Sequence, residues 1–167
     1  MTVITDLIND CDEADIPEPD RFQHWAATTL CKVRPVGTAD KPVSLSIRIV
    51  DSAESAALNK SYRGKGYATN VLSFACELPR VMLEQLDEMP LGDLVICAAV
   101  VRQEAMDQNK PAIAHWAHMV VHGVLHLNGY DHIDEHDAEQ MEAEEIHILD
   151  QLGFSNPYIT HQNQISK

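Results

Sequence analysis

The sequence predicts an α+β protein, a small mixed sheet of about four strands packed against helices in a single domain. Three observations carry that reading. Val43, Leu45, Ile47 and Ile49 alternate with Ser44, Ser46 and Arg48, the period-two pattern of a half-buried strand. Two more apolar segments, NVLSFAC and GDLVICAA, read as short strands. Helical patterns are interspersed with these strands and dominate beyond Pro111.

Taken in order, VITDLIN reads as an edge strand. After the turn-rich IPEPD, a helix runs from Arg21 to Val33 with Asp20 as candidate N-cap, and Pro35 and Gly37 break it. The strand VSLSIRIV follows, and Asp51 or Ser52 can cap the short helix SAESAALNKSYR, which ends near Gly64 and Gly66. Beyond NVLSFAC, the stretch from Glu77 to Pro90 reads as a mobile excursion. GDLVICAA continues into a helix through Arg102, Glu104 and Asp107 that stops before Pro111. Two further helices run from Ala112 to Asn128 and from Glu135 to Leu152, with Gly153 as the stop. The domain spans residues 1–158. Residues 159–167, with Gln162, Asn163 and Gln164, are expected to form a disordered tail.

Of the 167 residues 45% are hydrophobic but only 5% aromatic, so Val, Leu, Ile, Ala and Met must fill the core. The 12 Lys and Arg stand against 26 Asp and Glu, a formal charge of -14. Between Pro111 and Ser166 there is no Lys or Arg, while Asp131, Asp134, Glu135, Asp137, Glu139, Glu142, Glu144, Glu145 and Asp150 all fall there. Such a surface repels polyanions, so a nucleic-acid partner requires a local positive site or a helper protein. The one clear basic cluster is Lys60, Arg63 and Lys65. No apolar run approaches the roughly 20 residues of a membrane span, and MTVITDLINDCDEAD is acidic where a signal peptide is basic and then apolar. A cytoplasmic protein without membrane contact is therefore expected. Cys11, Cys31, Cys76 and Cys97 are widely spaced with no C-x-x-C pair, and are expected to be reduced, buried and inert.

The segment HWAHMVVHGVLHLNGYDH holds five of the nine histidines. At helical pitch His115, His118, His122 and His126 fall within a stripe about 80° wide, while Trp116, Val120, Val121 and Val124 cover much of the remainder. A helix buried nearly all round must satisfy those imidazoles, and a metal ion does so. His122 and His126 lie at i, i+4, about 6 Å apart at Cβ. Gly129 can end the helix and reverse the chain, and His132 then lies where the returning segment can supply a third ligand. The pattern H-x-x-x-H-x-x-G-x-x-H points to a metal site at the end of a buried helix. Three neutral imidazoles leave a zinc-like ion its double positive charge and an open position for water. A structural site closed by His118, Asp131 or His136 is the alternative. The spacing matches that of metzincin peptidases, but Gly123 stands where those enzymes carry their glutamate base.

HGVLHLNGYDH resembles the signature of the YbeY family, bacterial single-metal endoribonucleases of ribosomal RNA maturation. LNKSYRGKGYATNVLSF resembles the family's arginine-bearing loop and following strand, LGDLVIC its later strand, and the helix after the motif its C-terminal helix. The likeness runs from about Leu45 to Tyr158, with Asn70 where the family pattern usually has Asp. The resemblance implies a zincin-like fold, one zinc ion per chain on His122, His126 and His132, and a role for Arg63 in the active-site groove. It implies single-strand-specific cleavage in 16S rRNA 3'-end maturation, ribosome biogenesis and quality control. The implied partners are ribosomal RNA, small-subunit ribosomal proteins and an Era-type assembly GTPase, not DNA. Arg63 offers a fork of donors matching two phosphate oxygens. His115 and His118 can contact substrate, move protons or serve as core histidines, and Asp131 can orient an imidazole or the attacking water. Two rival readings are a metal-dependent hydrolase of peptides or small molecules, and a non-catalytic assembly factor whose zinc holds two helices together.

Overall fold

A computed structural model describes residues 1–34 and 40–159. The helix break at Pro35 and Gly37 and the tail beyond Ile159 lie outside the described residues. The four strands are β1 (Val3–Asn9), β2 (Val43–Val50), β3 (Val71–Ala75) and β4 (Met89–Cys97), in sheet order β1-β2-β4-β3. β1, β2 and β4 run parallel, and β3 pairs antiparallel with β4 from Val71↔Ile96 to Ala75↔Gly92. The sheet is mixed, as the sequence predicts, with VITDLIN on one edge.

Six helices are described: α1 (Pro19–Lys32), α2 (Ser52–Arg63), α3 (Arg80–Glu84), α4 (Ala98–Asp107), α5 (Ala112–Leu127) and α6 (Glu135–Gln151). Period-two alternation sorts the sheet into two faces. Val43, Leu45, Ile47, Ile49, Val71, Leu94 and Ile96 enter the main core with α1, α5 and α6. Val50, Leu72 and Val95 point the other way, against Leu58 of α2 and Phe74. The scarce aromatics are concentrated. Phe22 meets Trp25 and Trp116 edge-on at 5.5 and 5.7 Å, and Trp25 meets Phe154 at 6.3 Å. This cluster ties α1 to α5 and to the chain after α6, which holds α5 at the centre of the molecule.

Three expectations need correction. α1 starts at Pro19, with Glu18 at the N-cap and no side-chain cap bond; Asp20 lies inside the first turn, because proline at the first helical position already holds the required φ. The stretch from Glu77 to Pro90 is not a free excursion. It contains α3, Lys41 Nζ donates to the carbonyls of Leu83 and Glu84 at 3.3 and 3.0 Å, and Met89 and Pro90 already pair with β2. Of the four cysteines only Cys97 is buried; Cys11 and Cys76 are half-buried and Cys31, off the apolar stripe of α1, is exposed. All four are free thiols. Gly123 sits in a tight contact: a Cβ there would lie 2.7 Å from Leu94 Cδ2, so a larger residue requires the Leu94 side chain to shift. No helix among the described residues is long and apolar enough to cross a membrane.

β4 skips a residue against β2, pairing Pro90 with Ser44 and Gly92 with Leu45. Gly92 has φ +146°, and a Cβ there would lie 2.2 Å from the Phe74 carbonyl oxygen. Gly92→Ala is expected to lower the unfolding free energy by about 3 kcal/mol through combined strain and collision. Urea denaturation measures this, and a loss below about 1 kcal/mol would show that β3 yields at no cost.

Candidate metal centre

α5 brings His122 and His126 to its last two turns on one side. The helix then ends in tight turns: Gly129 N–H donates to His126 O at 3.0 Å and Tyr130 N–H to Leu125 O at 3.1 Å, with Gly129 at φ +91°. Asp131 Oδ1 accepts the His132 backbone N–H at 2.7 Å. That turn carries His132 back over the helix end. The ring centroids lie 4.6 Å apart for His122 and His126, 5.1 Å for His126 and His132, and 5.9 Å for His122 and His132. One nitrogen from each ring falls within 4.8 Å of the others, and the Nε2 atoms of His122 and His126 face each other at 3.1 Å. Tetrahedral zinc with bonds of about 2.0–2.1 Å sets its nitrogens about 3.4 Å apart, so this spacing is near what one ion needs.

Protonation fits as well. Burial pulls His126 down to about 4, reinforced by the neighbouring charges of His122 and His132, so the ring is neutral near pH 7. His122 Nδ1 lies 3.0 Å from Glu145 Oε1. Burial raises the Glu145 carboxyl, but hydrogen bonds from His118 and His122 outweigh it and hold the group at about 2. An ionised carboxylate only accepts, so Nδ1 of His122 carries the proton and its Nε2 lone pair faces the other two rings. The residues present therefore fit a first-row divalent cation.

Glu145 was not singled out in the sequence. It is 1% exposed on α6, and besides His122 it accepts from His118 Nε2 and, at 2.8 Å, from the Tyr158 hydroxyl. Its signal was present. Met141, Glu145, Ile148 and Leu149 follow the buried spacing of α6, which puts an acid on an apolar stripe. His118 lies beside His122, ring centroids 6.2 Å apart, and with His122 and Glu145 forms a second group whose ligand atoms lie within 4.8 Å of one another. His136 is exposed and does not border them.

Arg63 reaches the site from α2. Gly64 at φ +73° ends that helix, Asn59 Nδ2 donates to Tyr67 O at 2.9 Å, and Ser55 Oγ exchanges hydrogen bonds with the backbone of Thr69. These buried polar groups fold residues 64–70 back along α2. As a result Arg63 and Asn70 share a cavity of about 340 Å³ with Ser73, His122, His126, Asp131 and His132. Asn70 Nδ2 donates to Glu104 Oε1 at 3.0 Å, where an aspartate would oppose a second carboxylate. His115 does not border this cavity. It is 2% exposed, its Nε2 lies 2.9 Å from Glu104 Oε1, and it lines an adjoining cavity instead.

The family described as endoribonuclease YbeY matches residues 7–153. The solution structure of TM1509 from Thermotoga maritima aligns with a TM-score of 0.55 and 20% identity, over 89% of each chain, a similarity of fold.

Proposed function

The chain belongs to the YbeY endoribonuclease family, and from that premise we propose that it is a zinc-dependent, single-strand-specific endoribonuclease of 16S rRNA 3'-end maturation and ribosome quality control. The observation that carries the reading is the meeting of Arg63 with His122, His126 and His132 around one cavity. When bound there, the cation supplies Lewis acidity to a phosphoryl oxygen and to the attacking oxygen of water or of the ribose 2'-hydroxyl. Arg63 grips the scissile phosphate with two parallel N–H donors and stabilises the charge that develops on it. Glu145 keeps the proton on His122 Nδ1, so the ring presents a lone pair to the site. Asp131 shapes the turn that returns His132. His115 holds Glu104 and through it Asn70, and so positions the wall that the two cavities share. The strongly acidic chain binds free RNA weakly, so small-subunit ribosomal proteins and an Era-type GTPase in the cytoplasm supply the encounter.

The test is cleavage of purified single-stranded RNA. Chelation is expected to stop it, and Arg63→Ala to lower kcat by about 10²-fold with the melting temperature unchanged, since the side chain is exposed. Cleavage at full rate by Arg63→Ala would remove the phosphate clamp. Chelation that lowers the melting temperature while no RNA cleavage is found at any metal loading would favour the non-catalytic assembly factor.

A further inference from the structure

A second cavity of about 670 Å³ adjoins the first, and Asn70 and His122 belong to the walls of both. Of the three clustered histidines only His122 is common to these two neighbouring lobes. Arg63 stands in the first lobe and Lys110 in the second.

Lys110 is delivered by a defined turn. Asn109 adopts φ +54°, Lys110 N–H donates to Ala105 O at 3.0 Å, and Pro111 leads directly into α5. Its ammonium is half withdrawn from water, which lowers its basicity against the opposing pull of Glu104 and Glu145. Both acids already accept from other donors. Glu104 is engaged by His115 and by both contacts from Asn70, and Glu145 by His118, His122 and Tyr158. Among the described residues no acceptor takes a hydrogen bond from Lys110 Nζ. A partly desolvated ammonium with three donors and no protein acceptor is matched by an anionic oxygen that a ligand brings. Gln108, Asn156 and Tyr158 on the same wall add polar groups and one aromatic ring beside it.

We infer that the second lobe is a further subsite of the groove, in which Lys110 binds a neighbouring phosphate of the RNA strand whose scissile phosphate lies at Arg63. This rests on the RNA reading above. Adjacency of the two lobes at Asn70 and His122 argues for a polynucleotide rather than a free phosphate, because one strand can then reach both.

The experiment compares the metal-loaded wild type, Lys110→Ala and Lys110→Arg on a dinucleotide and on longer single-stranded oligoribonucleotides. With the longer substrates Lys110→Ala is expected to raise KM about tenfold and leave kcat within about twofold, while the dinucleotide shows no change. The slope of log affinity against log salt should fall by about 0.7, the share of one single-strand phosphate, and Lys110→Arg should restore it. A merely structural lysine would not move that slope. Unchanged KM and slope in Lys110→Ala, or an equal loss on the dinucleotide, overturns the subsite. Binding of the same oligomers, read by fluorescence anisotropy, separates the two claims. RNA bound without cleavage sinks the nuclease reading and leaves Lys110 to be judged on the slope, and no binding at all sinks both.

Discussion

His126→Ala is expected to lose the metal ion and to slow RNA cleavage by about three orders of magnitude or more, on the scale of the several kcal/mol a Lewis acid contributes. His126 is neutral and half-buried, with its Nε2 3.1 Å from that of His122, so no neighbouring ring can take its place. Alanine removes one of three ligands while leaving the helix, whose propensity for alanine is high, intact. Elemental analysis should find less than one ion per chain, and the far-ultraviolet dichroism should match wild type. If the variant keeps both its metal and its activity, the ion is held elsewhere and the mechanism above is wrong.

Glu145→Ala is expected to cost about 3–5 kcal/mol of stability, because it strands three donors in the core. His118 Nε2, His122 Nδ1 and the Tyr158 hydroxyl all converge on this carboxylate, which is 1% exposed. For a domain of this size the loss corresponds to a melting temperature lower by about 10 °C. Metal affinity should fall as well, by about 10–100-fold, since His122 loses the group that holds its tautomer and ring plane. Glu145→Gln is the sharper variant. It keeps the volume but sets an amide N–H against an imidazole N–H, so its metal affinity should fall with a smaller thermal loss. Calorimetry and metal titration together check this, and a Glu145→Ala protein with wild-type melting and wild-type affinity would remove Glu145 from the site.

The convergence of the three imidazoles was legible because these histidines are local in sequence. His122 and His126 share a helical face by spacing alone, and Gly129 announces the reversal that returns His132. The strand VSLSIRIV was legible for the same kind of reason, its alternation matching the burial of β2 from Val43 to Ile49. The errors lie where local signals compete or are silent. Asp20 is a good capping residue one position past a proline that starts the helix better. The Glu77–Pro90 stretch looks structureless because its partners, Lys41 and β2, are remote in sequence.

What the sequence by itself determined is the alternation of strands and helices, the three converging imidazoles and the family they signal, since each depends on periods and spacings within a few residues. Only the tertiary structure decided which carboxylate supports those rings, that position 123 packs against Leu94, and that the cavities of Arg63 and Lys110 adjoin at Asn70 and His122. Glu145 lies 23 residues beyond His122, and Asn70 of the loop after α2 is joined to His115 of α5 through Glu104 of α4. Such contacts follow from how apolar faces pack, and packing is a property of the whole chain rather than of any window along it.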